Sequence, residues 1–210
     1  MRAAWVTTFV IVFLWSGIYP KDYPTWALEV SPAVIGFILL AVTCRSFPLT
    51  PLLYILILVH CIVLMVGGHY TYAEVPLFDS LKSVLGFERN NFDKLGHFLQ
   101  GFVPALIARE ILVRKEVIAS AHWRNFFIVC FCLAFSALYE LIEWVVAIIS
   151  DTGAEAFLGT QGYLWDTQSD MAFALVGAIS ALAFLGRTHD RQLRNMAGRN
   201  GPAPRKYSDS

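Results

Sequence analysis

Long apolar runs separated by short polar blocks set the pattern of this chain. Six runs stand out: Ala3–Tyr19, Trp26–Thr43, Leu52–Gly67, Leu95–Val113, Phe126–Ile149 and Met171–Leu185. They are continuous rather than alternating, and each approaches the ~20 residues a helix needs to cross a bilayer. The third and sixth fall slightly short as drawn, so they are expected to extend into their flanks. The fourth is the least uniform, because it contains His97, Gln100, Pro104, Arg109 and Glu110. A re-entrant fourth segment, leaving five spans, is the alternative. The pattern predicts an all-α fold, a polytopic integral membrane helical bundle with six transmembrane helices over residues 1–186.

Residues 187–210 read differently. They hold few apolar positions and end GRNGPAPRKYSDS, which predicts a basic, disordered tail near anionic headgroups. At the other end, Arg2 followed by an apolar run could suit a signal peptide. No small-x-small cleavage site precedes Tyr19-Pro20-Lys21, so the run reads as a retained first helix.

Composition supports the membrane reading: 57% of the 210 residues are hydrophobic and 15% charged, with a mean hydropathy of +0.57. Soluble domains carry about a quarter charged residues. With six spans, the N-terminus, the second and fourth loops and the tail share one side. Twelve Lys and Arg fall there, against Lys21, Lys82, Arg89 and Lys94 opposite. This bias predicts cytoplasmic termini, N-in and C-in, in a bacterial inner membrane. Most acidic residues take the reverse side, so a zero net charge hides a dipolar distribution and an acidic outer face. Cys44, Cys61, Cys130 and Cys132 lie in or beside the spans and read as small apolar packing residues rather than a disulfide or zinc set.

The acidic side gathers candidate chemistry at one depth. In DKLGHF, Asp93 and His97 lie one turn apart on a helix face. Glu140 and Glu143 come just before the outer end of the fifth span, with Ser136 a turn deeper on the same stripe. Asp166 and Asp170 enter the sixth, where Ala174, Gly177, Ala178 and Ala181 continue the stripe from Asp170. Small residues let helices approach closely in a bilayer, so Asp170 should face the bundle. The stretch GGHYTYAEVPLF, before the fourth span, reads as a tethered interfacial loop, with a lid as the alternative. His60, inside the third span, reads as a packing residue.

The runs GHYTYAEVPLF, DKLGHF, YELIEW and GYLWDTQSDM carry a resemblance to the YjdF family of bacterial inner-membrane proteins, extending along the whole chain. More loosely, DKLGHF, Glu140 and Asp166/Asp170 resemble the acidic and His elements of VanZ-like membrane proteins, although no Arg stands just before Asp166 as in many of them. Neither resemblance supplies a reaction.

Three readings follow for Asp93, His97, Glu140, Glu143, Asp166 and Asp170 as the functional set. They could serve a cation-dependent enzyme acting on a lipid-linked cell-envelope substrate, with His97, Glu140, Glu143 and Asp170 holding a divalent metal ion such as Mg, Mn, Fe or Zn. They could form the proton or ion path of a small transporter or lipid-handling protein. Or they could order the bundle, with Asp93 capping its helix and His97 balanced by a carboxylate. No P-loop, G-x-G-x-x-G, G-x-S-x-G or c-type haem motif is present, and the basic residues suit membrane lipids rather than nucleic acid.

Overall fold

The computed structural model describes residues 2–149 and 161–200. Asp151 and Glu155, two of the acidic residues expected on the outer side, lie outside the described residues, as does 201–210. Among the described residues the chain forms seven α-helices: α1 (Arg2–Ser16), α2 (Tyr23–Thr43), α3 (Pro51–Tyr70), α4 (Pro76–Leu85), α5 (Phe92–Arg114), α6 (Ala121–Ile149) and α7 (Asp166–Asn200). Four of them, α2, α3, α6 and α7, are long and apolar enough to cross a membrane. Helix α1 is apolar but shorter, and α5 carries more charge.

The helix boundaries follow local chemistry. Asp22 caps α2 by accepting from the Thr25 amide at 2.8 Å, with Pro24 in the first turn. Helix α3 likewise opens on Pro51 and closes at Thr71 in the left-handed region. Helix α5 starts behind Asn91, and the Asn90 side chain accepts from the Phe92 amide at 3.1 Å. Asp93 therefore sits in the first turn and does not cap the helix. Helix α5 runs unbroken through Pro104, as one 23-residue element.

Two expectations change. The interfacial stretch is not one loop but the end of α3, a short turn and the start of α4, a helix with no buried residue that exposes Leu77, Leu81, Val84 and Leu85. The break expected at residue 187 is absent, since α7 stays helical to Asn200 and buries His189 and Leu193 beyond that point. Apolar content falls there, yet those two side chains tie the helix to its neighbours.

The bundle is built on α5 and α7, which make its most extensive contact. Ala174, Ala178 and Ala181 are fully buried along the seam. A Cβ on Gly101 would collide with the Ala174 carbonyl, and one on Gly177 with the Phe98 carbonyl. Backbone thus meets backbone, the close approach that small residues permit. Helix α3 packs on α5 and carries α2 and α1, whose Trp5 and Phe9 stack against Phe37 of α2. Helix α6 packs on α5 and α7. Large apolar side chains such as Ile35, Ile38, Phe131, Leu138 and Val176 remain exposed around the outside.

This frame gives α5 and α7 two ends: an acidic end, at their N-termini, and a basic end opposite. At the basic end Glu110 is fully buried. It accepts from the Thr50 amide (3.1 Å), Thr50 Oγ1 (2.8 Å), Arg114 Nη1 (2.9 Å) and His189 Nε2 (2.9 Å). Arg109 Nη1 lies 3.2 Å from His189 Nδ1, and a guanidinium can only donate. His189 is therefore the Nε2–H tautomer. Arg109 also pairs with Asp190, and Gln192 accepts from the Leu52 amide near the start of α3.

Candidate functional site at the acidic end

At the acidic end, two basic side chains meet three carboxylates. Arg89, one turn before Asp93, pairs with Asp93 and donates through Nη1 to Asp166 Oδ1 at 2.5 Å. Lys94 donates to Asp166 Oδ1 and Asp170 Oδ1, both at 2.7 Å. Arg89 and Lys94 both lie over the Tyr163 ring, at 5.5 and 5.7 Å from its centroid. Asp93, Lys94, Asp166 and Asp170 are all buried. Buried charges persist where each finds a partner, and this set supplies them.

One turn further along α5, His97 changes the chemistry. Its Nδ1 lies 3.0 Å from Gln100 Oε1 and 3.7 Å from Glu140 Oε1, while Nε2 lies 3.8 Å from Asp170 Oδ1. Gln100 Oε1 can only accept, so Nδ1 carries the proton and Nε2 offers its lone pair beside Asp170. Donor atoms of His97, Glu140 and Asp170 lie within 4.8 Å of one another, as do those of Asp93, Asp166 and Asp170. Glu140 Oε1 is buried without a hydrogen-bond partner among the described residues, as is the Ser136 hydroxyl a turn away.

A cavity of about 90 Å³ opens beside this cluster. Asp93, His97, Gln100 and Asp170 from α5 and α7 line it together with Glu29, His60, Tyr139 and Glu143 from α2, α3 and α6. Tyr139 donates to Glu29 Oε2 at 3.2 Å. Tyr72 completes the wall, placed by a turn in which Thr71 and Tyr72 both adopt positive φ. Its ring fills space beside Gly67 and Gly96, where a Cβ on either would strike it. Burial first, then the Glu29, Glu143 and Asp93 carboxylates, pushes the Tyr72 phenol well above its ordinary range. The phenol is therefore a donor at neutral pH.

A family model described as predicted membrane protein, DUF2238, matches residues 1–191. The chain belongs to the DUF2238 family. Inner membrane protein YjdF of Escherichia coli (strain K12) is 53% identical over 187 residues, which cover 89% of this chain and 90% of that relative. No solved structure matches. The expected YjdF resemblance therefore holds, whereas the VanZ likeness of the last three helices finds no support in these comparisons.

In this DUF2238 chain, all six residues singled out from the sequence reach the acidic end, but they divide. Asp93 and Asp166 are tied up by Arg89 and Lys94. His97, Glu140 and Asp170 form a potential donor set, and Glu143 faces the cavity outside that set. Sequence reasoning missed Arg89, Lys94, Glu29 and Tyr139 as site residues, and left His60 among packing residues although it lines the cavity. A signal existed for Glu29, the lone acid within an apolar span, since such residues mark intramembrane function. The cation on Asp166 had none, because Arg89 lies 77 positions away.

Proposed function

We propose that this chain is a six-span protein of the bacterial inner membrane, both termini cytoplasmic, whose acidic end is a cation-dependent site working on a lipid-linked envelope substrate. Family membership, the inner-membrane name of the YjdF relative and the basic bias of one side support the location and orientation. Helices α1 and α5 supply the two further spans, and at 23 residues α5 is about 35 Å long, enough to cross a hydrocarbon core.

The observation that carries the reading is the buried, unpartnered Glu140 carboxylate oxygen beside the His97 and Asp170 donors. An unsatisfied buried carboxylate is costly, and a divalent ion there would relieve the cost. His97 Nε2, Glu140 and Asp170 fit such an ion, and Gln100 orients the imidazole from behind. Lys94 shares Asp170, so binding requires its ammonium to lean on Asp166 instead. A bound ion would polarise a phosphoryl or acyl oxygen and lower the pKa of a bound water. The free carboxylate of Glu143 is the nearby group able to take a proton.

Purified protein should contain close to one divalent ion per chain, measured by elemental analysis. His97→Ala combined with Glu140→Gln should remove it. A metal-free wild type sinks the reading.

A second reading has its own observation. Glu29, His60, Gln100 and Glu143 continue the polar wall beyond Asp93, as in a proton or ion path. It calls for substrate-driven pH movement in liposomes, abolished by Glu140→Gln.

A further inference from the structure

Helices α2 and α6 flank the cavity without packing extensively on each other: α2 rests on α3, and α6 on α5 and α7. The seam between them is bridged by the hydrogen bond from Tyr139 to Glu29. Phe135, 43% exposed, and the partly buried Pro32 line the cavity at this seam, so the cavity reaches the lateral surface there. The surrounding surface is apolar, with Leu28, Ile35, Leu138, Leu141 and Ile142 exposed. In a membrane these side chains face acyl chains. The cavity mouth is thus aimed sideways at lipid.

Its lining is chemically specific. Glu143 is only 8% exposed, lines the cavity and accepts no side-chain hydrogen bond among the described residues. Glu29 is 5% exposed and accepts from Tyr139 alone among those side chains. Lys94 is engaged by Asp166 and Asp170 on the far side. Around the two acids stand the rings of Tyr72, Tyr139 and Phe135 and the apolar Leu64. Carboxylates alone would suit a bare metal ion. Carboxylates with aromatic faces suit an organic cation carrying N–H donors and methylene groups.

We propose that this side of the cavity binds the primary ammonium headgroup of an ethanolamine phospholipid, admitted between α2 and α6. Size agrees, since a cavity of about 90 Å³ has room for an ammonium and its methylenes. A trimethylated headgroup fits poorly, because it has no N–H to donate to Glu29 and Glu143. Glu29 and Tyr139 stand apart from the divalent-ion donor set, and Glu143 is the one group the two readings share.

The test is native mass spectrometry of the detergent-purified full chain with equimolar ethanolamine, N-methylated ethanolamine, choline and glycerol phospholipids of identical acyl chains. Ethanolamine lipid should be retained about tenfold or more over choline and glycerol lipids, the scale of one charge-assisted hydrogen bond. Retention should fall stepwise with N-methylation. Glu29→Gln alone should lower the preference while the metal content stays at the wild-type level, and Glu29→Gln with Glu143→Gln should erase it. His97→Ala should do the opposite. Equal retention of the four lipids by wild type overturns the proposal even if the double variant fails to fold, and an unchanged preference in a folded double variant overturns it as well.

Discussion

At the basic end of the bundle, the two carboxylate oxygens of Glu110 accept from Thr50, Arg114 and His189, and the His189 ring is itself held by Arg109. At the acidic end, Glu140 leaves one buried oxygen without a partner and Glu143 faces a cavity. Both ends use buried acids, bases and a histidine of α5 and α7, joined at the acidic end by Glu140 and Glu143 of α6. The difference lies in satisfaction. A closed network with each oxygen occupied fixes a geometry, whereas an open one retains capacity for something else. Buried charge alone does not distinguish a structural joint from a working site.

Substitutions can break this comparison, beginning with what both ends share. Gly101→Leu should abolish the α5–α7 seam, exceeding the ~1–3 kcal/mol usual for overpacking because the obstacle is the Ala174 backbone. Size-exclusion chromatography in detergent should then show no monodisperse protein. Glu110→Ala should cost about 3–5 kcal/mol by orphaning Thr50, His189 and Arg114 together, read as a large drop in thermal midpoint.

Glu140→Gln separates the two ends most sharply. It removes the charge from a carboxylate with one buried oxygen left unpartnered, so stability should stay within ~1 kcal/mol of wild type or rise. Metal content should fall nonetheless. A Glu140→Gln loss as large as that of Glu110→Ala would make the acidic end a structural joint like the basic one. Last, Lys21→Ala breaks a half-exposed pair with Glu74 and should shift stability by ~0.5 kcal/mol or less in the same melt.

The helices were legible because apolar runs mark spans regardless of tertiary detail. Helices α3 and α7 grew into their flanks as expected, and the small stripe of Ala174, Gly177, Ala178 and Ala181 predicted the buried face that carries Asp170. Convergence of Asp93, His97, Glu140, Glu143, Asp166 and Asp170 at one end was also readable, since helix direction sets depth. What escaped depended on side chains reaching across. Arg89 meets Asp166 only once α5 and α7 are packed, and Tyr139 reaches Glu29 across 110 positions. Residues 187–200 misled because polar composition was read as disorder, while His189 and Leu193 anchor one face of a continuing helix.

That continuing helix has a mechanical consequence. Helix α7 is 35 residues long, about 50 Å from end to end, and carries Asp166 and Asp170 in its first turns and His189 and Asp190 near the other end. It behaves as a single strut gripped at both ends. Any axial slip that lets Asp170 follow Lys94 or a bound ion displaces His189 against Glu110 by the same amount. A one-turn advance at one grip is a one-turn advance at the other.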